Sequence, residues 1–137
     1  MSKVAIVFWS QTGNTETMAN CIAEGAGANG TIVSCAEMTP AKLAEFDVVA
    51  FGCPAMGAEQ LEESEFEPMF AALEGSLNGK KIALFGSYGW GDGQWMRDWA
   101  QRAQDDGAQL FSEEGLICNE TPDDDVQAAC RKLGLSL

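Results

Sequence analysis

The sequence predicts an α/β fold, a three-layer, doubly wound sheet of five parallel strands with helices on both faces. Three observations carry this. Short apolar runs of strand length recur along the chain, helix-like stretches separate them, and each link is long enough to hold the crossover helix that parallel neighbours need. The 137 residues fit one domain spanning 1–137. A chain of this length buries about two-thirds of its unfolded surface, so it needs neither disulfides nor a structural metal.

Val4 to Trp9 is a continuous apolar run, the pattern of a strand covered on both faces. After a polar loop, Glu16 to Ala26 sets Met18, Ala19, Ile22, Ala23 and Ala26 at helical spacing, and Gly25, Gly27 and Gly30 close that helix. Thr31 to Cys35 is the second strand, Pro40 to Phe46 a helical turn or two, and Val48 to Phe51 the third strand, ended by Gly52-Cys53-Pro54. Glu65 to Leu77 is helical if Pro68 falls in the first turn. Gly79-Lys80-Lys81 introduces the fourth strand, Ile82 to Phe85. Asp92 to Gln104 is a helix, and Ala108 to Cys118 an interrupted fifth strand. Thr121 to Lys132 is the last helix, with Thr121 as cap, Pro122 in the first turn and Asp124 closing a capping box.

Eight Lys and Arg against 21 Asp and Glu give a formal charge of −13. Phosphate backbones and anionic bilayers call for the opposite sign, so neither nucleic acid nor membrane is an expected partner. There is no histidine, which removes Ser-His and Cys-His nucleophiles and every histidine metal site. The five cysteines, Cys21, Cys35, Cys53, Cys118 and Cys130, show no C-x-x-C spacing and no basic neighbour to activate them. Cys21 and Cys53 read as small hydrophobes, and Trp95 and Trp99 as core. With no secretory features after Met1 and no apolar run of membrane-span length, a cytoplasmic protein is expected. No large apolar surface pattern is left unassigned, so it is expected to be a monomer.

In such sheets ligands bind beyond the carboxyl ends of the strands. After strand one, Ser10-Gln11-Thr12-Gly13-Asn14-Thr15 leads into a helix start. Hydroxyls, an amide and a turn glycine at a positive helix end suit a phosphate, and the same residue types suit a plain helix cap. Without the lysine of a nucleoside-triphosphatase loop, that class is excluded. The literal G-x-G-x-x-G at Gly25 to Gly30 follows a helix and precedes a strand, the wrong order for a dinucleotide site. After strand three, Pro54-Ala55-Met56-Gly57-Ala58-Glu59 offers a polarizable thioether to an aromatic ring, or Met56 fills a gap. After strand four, four glycines hold Tyr88 and Trp90 in Gly86 to Gly93. Rings on such a turn suit stacking on a flat ligand, and a tryptophan folded over the sheet edge is the other reading.

Taken together, these loops resemble the short-chain flavodoxins of anaerobic bacteria. The resemblance runs from Lys3 to about Leu135, and its most specific pieces are Trp9-Ser10 through Gly13-Asn14-Thr15, Met56-Gly57, and Phe85 through Gly91. It implies the strand order 2-1-3-4-5, with non-covalent FMN at the switch point. Residue by residue, Ser10, Thr12, Asn14 and Thr15 are similar to binders of the ribityl phosphate. Met56 and Trp90 resemble the two faces around the isoalloxazine ring. Gly57 resembles the residue whose carbonyl receives the flavin N5 proton, and Glu59 the carboxylate at the N3 edge. Gly89, Trp90 and Gly91 offer backbone groups to the pyrimidine end, and Glu120 matches a family acid near the flavin. Gln11, Gly13, Pro54, Ala55, Ala58, Ser87 and Tyr88 complete the implied cofactor-binding set. Gln11 replaces a smaller residue, and Ala58 stands where relatives carry a small or acidic one.

The implied function is low-potential one-electron transfer between semiquinone and hydroquinone, without a substrate site of its own. A carbonyl accepting N5–H favours the neutral radical by about 1 kcal/mol. Several carboxylates near the anionic hydroquinone would cost ~1–3 kcal/mol, roughly 40–130 mV on a one-electron couple. Six of the eight cations, Lys3, Lys80, Lys81, Arg102, Arg131 and Lys132, fall at strand starts or helix ends, away from the cofactor. Glu59, Glu62, Glu63, Glu65, Glu67, Asp92 and Asp123 to Asp125 fall at the cofactor end. Part of that layout is ordinary helix-dipole preference. The rest predicts docking on redox proteins with basic surfaces, such as ferredoxin-type donors and acceptors and reductases. The competing reading is a small FMN-dependent oxidoreductase of the quinone or flavin reductase type, which needs a second substrate site.

Overall fold

A computed structural model of the chain describes residues 3–57, 60–111 and 115–137. Strands β1 (Val4–Phe8), β2 (Gly30–Val33), β3 (Val48–Gly52), β4 (Lys81–Tyr88) and β5 (Gln109–Leu110) form a sheet in the order β2-β1-β3-β4-β5. The fifth position is shared. β5 pairs with Lys81 and Ile82 at the start of β4, and β6 (Leu116–Asn119) pairs with Phe85 to Tyr88 at its end. All these pairings are parallel. This is the doubly wound order expected, with the fifth strand interrupted as its sequence implied.

The helices are α1 (Asn14–Ala26), α2 (Pro40–Leu43), α3 (Phe66–Leu73), α4 (Gln94–Asp105) and α5 (Asp124–Ser136). Because successive strand residues face opposite sides, two cores result. Val4, Ile6, Val48, Ala50, Ala83 and Phe85 pack with Met18 and Ile22 of α1 and Cys130 of α5. Ala5, Val7, Val49, Phe51, Ile82 and Leu84 pack with the apolar faces of α3 and α4. There Phe66 and Phe70 each meet Trp99 edge-on at 5.4 and 5.8 Å, contacts worth about 0.5–1.5 kcal/mol each beyond area. Trp95 and Trp99 are core residues, as expected.

Several boundaries differ from the sequence reading. Gly25 does not close α1 but lies within it. A Cβ there would stand 1.9 Å from the Arg131 carbonyl oxygen, and one on Gly134 would stand 2.0 Å from that of Ile22. α1 and α5 therefore meet backbone to backbone. The last helix starts three residues later than expected, because the Asp123 carboxylate, not Thr121, caps it by accepting the Val126 N–H at 2.9 Å. The stretch 74–76 tightens to a 3₁₀ turn after α3. The thiols are free, and burial pushes Cys53 and Cys130 up to about 12 and Cys35 to about 11. None is poised as a nucleophile.

Candidate functional site

The polar loop after β1 turns into α1 through Gly13, whose φ of 94° is the left-handed region that glycine enters without penalty. No side chain caps α1 in the usual way. Instead Ser10 Oγ accepts the amides of Gly13 and Glu16, each at 3.2 Å, from the inside of the turn. The amides of Asn14 and Thr15 find no acceptor among the described residues. That leaves N–H donors and the positive end of a 13-residue helix pointing into the space beyond the sheet.

That space is a cleft of about 380 Å³. Ser10, Gln11, Thr12, Asn14 and Thr15 form one wall, Pro54, Ala55 and Met56 a second, and Ser87, Tyr88 and Gly89 a third. Glu120 and Thr121, which follow β6, close it. Thr15 Oγ1 and Ser87 Oγ, 72 residues apart, share a hydrogen bond of 3.0 Å, and the Ser87 N–H donates to Thr15 Oγ1 at 3.4 Å. Of the two hydroxyl protons in that pair, one remains for an outside acceptor. No Lys or Arg lies among the described lining residues. The cradle is thus positive only through dipoles, which suits a phosphate flanked by neutral groups.

On the second loop Met56 and Gln60 exchange two backbone hydrogen bonds of 2.8 Å, closing a hairpin tip. Gly57, at φ 50°, opens that tip with free space where a side chain would be. Ala58 and Glu59, both expected at the cofactor, lie outside the described residues. Tyr88, expected on the third loop, is instead the last residue of β4 and packs on Trp95, ring centroids 5.4 Å apart, while Trp90 on the loop that follows is 65% exposed and does not line the cleft. Gly91 also lies outside the lining. Glu120 is the one described non-glycine residue at positive φ, 60°, and its N–H donates to the Tyr88 carbonyl at 2.7 Å. Such a backbone costs on the order of 1 kcal/mol and persists where surroundings enforce it.

Thr121 is the lining residue that the sequence reading missed. The sequence places its hydroxyl at the helix cap, and the signal that could find it is a hydroxyl two residues past the last strand.

The acidic layout is also corrected. Glu62 is 6% exposed and spent on internal hydrogen bonds. Glu67 receives both Arg102 guanidinium nitrogens at 2.7 Å, and Asp92 pairs with Arg97 at 2.9 Å. Arg102 bridges the length of α3, bonding Glu74 just past its end at 2.6 and 3.0 Å as well as Glu67 in its first turn. Glu63, Glu65, Glu120 and Asp123 to Asp125 remain exposed, with Glu65 accepting the Trp9 indole N–H at 2.8 Å.

The family model described as Flavodoxin matches residues 6–133. The chain belongs to the flavodoxin family. It is 48% identical over 134 residues to a flavodoxin of Megasphaera elsdenii, covering 96% of this chain and 95% of that one. To a flavodoxin of Clostridium beijerinckii it is 43% identical over 132 residues, 94% of each. The solution structure of two-electron reduced Megasphaera elsdenii flavodoxin matches with a TM-score of 0.84 and 46% identity, over 97% of this chain and 96% of that one. Flavodoxins are FMN-binding electron carriers, and the chain is one by family. No helix of its described residues is long and apolar enough to cross a membrane.

Proposed function

We propose that the whole chain acts as one FMN-binding domain, a low-potential carrier moving one electron at a time between the one- and two-electron-reduced states of its cofactor. The observation that supports this best is the joining of a helix start with two open amides and a thioether-and-tyrosine wall in one cleft at the carboxyl ends of β1, β3 and β4. The donor set fits FMN: N–H groups and hydroxyls for a phosphate dianion, and apolar and aromatic groups for a flat ring. The cofactor supplies the reversible one-electron chemistry when bound.

The residues would divide the work as follows. The Asn14 and Thr15 amides, with the hydroxyls of Ser10, Thr12 and Thr15, hold the phosphate. Met56 would take one face of the ring and Trp90, exposed on the loop after β4, the other. The Gly57 carbonyl would offer the bound ring a hydrogen-bond acceptor, worth about 1 kcal/mol net. Glu63, Glu65, Glu120 and Asp123 to Asp125 set a negative field around the cleft, which disfavours further negative charge on the ring and attracts redox proteins with basic surfaces. The carrier works as a monomer in the cytoplasm and has no substrate site of its own.

Anaerobic reduction of the FMN-loaded protein, followed by absorbance, tests this. A blue one-electron-reduced species should build up midway and then bleach. Direct bleaching without it overturns the one-electron reading in favour of a hydride-accepting oxidoreductase. Electron-transfer rates with a basic partner should fall as ionic strength rises, and rates that do not fall would remove the acidic docking surface.

A further inference from the structure

The loop bearing Met56 and Gly57 leaves the sheet at Cys53 and ends where α3 begins. At its base the Glu62 N–H donates to Cys53 Sγ at 3.3 Å. Cys53 is fixed in turn, its N–H on the Phe85 carbonyl at 3.1 Å and its own carbonyl receiving the Trp95 indole N–H at 3.1 Å. The Glu62 carboxylate then ties the other side. Oε1 accepts the amides of Glu65 and Phe66 at 2.7 and 2.9 Å, and Oε2 accepts the Ser64 amide at 2.8 Å and the Ser64 hydroxyl.

Capping α3 does not by itself call for this. Thr39 and Asp123 cap α2 and α5 from exposed positions with short side chains. A nearly buried carboxylate is costly unless its oxygens are filled, and here they are filled by the amides of Ser64, Glu65 and Phe66 and the Ser64 hydroxyl. One residue thus ties Cys53, just past the end of β3, to the start of α3, and the Met56–Gln60 rung lies between these two tied points along the chain. We propose that Glu62 is a positioning residue for the cofactor. Its carboxylate and N–H clamp the base of the loop, so that Met56 and Gly57 meet the FMN ring in a preset geometry. This rests on the FMN reading above.

The test compares Glu62→Gln with Thr39→Ala, the loss of a side-chain cap on α2. Amide hydrogen exchange in the apo-protein reads the clamp without cofactor, and the two one-electron potentials of the FMN-loaded protein read its consequence. Glu62→Gln should speed exchange of the Met56 and Gln60 amides by at least about tenfold relative to β3 amides. It should also narrow the gap between the two potentials by about 59 mV, the equivalent of tenfold for one electron. Thr39→Ala should do neither. Equal behaviour of the two variants in both readouts overturns the proposal. If Glu62→Gln does not fold, Cys53→Ala removes only the base acceptor and should move both readouts the same way by less, and no movement there also overturns it. If the wild type held no FMN, the functional reading would fall while the exchange ratio still decided the clamp.

Discussion

The starts of α1 and α3 face the same end of the sheet and are treated in opposite ways. α1 begins on Gly13, takes only the neutral Ser10 hydroxyl on its Glu16 amide, and leaves the Asn14 and Thr15 amides to the cleft. α3 receives an anion from its own chain, the Glu62 carboxylate, which fills the amides of Glu65 and Phe66. Both starts carry the same dipole. What separates a binding site from a structural joint is therefore whether the chain supplies the negative charge itself. α4 shows a third arrangement, since its start on Gly93 is overlaid by Arg97, which donates to the Asp92 carbonyl and carboxylate. A cation there repels no anion but competes with the helix end for one.

Filling the open start is the strongest way to break this contrast. Thr12→Asp places a carboxylate on the cleft wall, where it should raise the FMN dissociation constant about 100-fold, on the order of 3 kcal/mol. A fluorescence titration reads this, and urea unfolding of the apo-protein should show stability unchanged or slightly raised.

Emptying the filled start should cost less. Glu62→Ala should lower unfolding stability by about 2 kcal/mol in a urea melt at neutral pH. Burial opposes ionisation of Glu62, but the Ser64 hydroxyl and the amides of Phe66, Ser64 and Glu65 outweigh it and hold the carboxyl down at about 2. A folded value below the unfolded one stabilises above the ordinary carboxyl range and is lost as pH falls from about 4.5 towards 2. The wild type should lose that increment across this window, and Glu62→Gln should not.

The far end of α4 sharpens the rule by reversing it. Asp106 sits at a helix C-terminus, where the dipole disfavours an anion. Burial, then the Glu74 carboxylate, push its carboxyl up to about 6, with Arg102 opposing and Asp105 adding to the rise. Its folded value lies above its unfolded one, so its contribution is full below about 3.8 and is lost as pH rises through about 6. Asp106→Asn should flatten this dependence and stabilise the protein at pH 7 by on the order of 1 kcal/mol. Thermal unfolding at pH 5 and pH 7 checks it. The smallest effect should come from Ser64→Ala, which removes one neutral donor from Glu62 and should cost about 0.5–1 kcal/mol.

Much of the cleft was legible in the sequence because its walls are contiguous segments. Ser10 to Thr15, Pro54 to Met56 and Ser87 to Gly89 each follow an apolar run that stops at one edge of a parallel sheet, and that edge is shared by construction. Thr121 was not legible, since its place depends on where the last helix begins, and Asp123 won that position with a charged acceptor. The side-chain position of Trp90 was not legible either, because glycines on both sides leave its direction to tertiary contacts.

Apolar periodicity and turn residues by themselves determined the element order, the two buried cores and the polar loop that opens α1. They act over a few residues, so the chain's local pattern contains them. The resemblance in the loops added the strand order. Only the tertiary structure decided which carboxylates are free. Glu62 is buried within its own loop, Glu67 is held by Arg102 from 35 residues away, and Thr15 is bonded to Ser87 from 72. Charge and hydrogen bonding act through space, and composition counts every acid alike until packing brings its partner beside it.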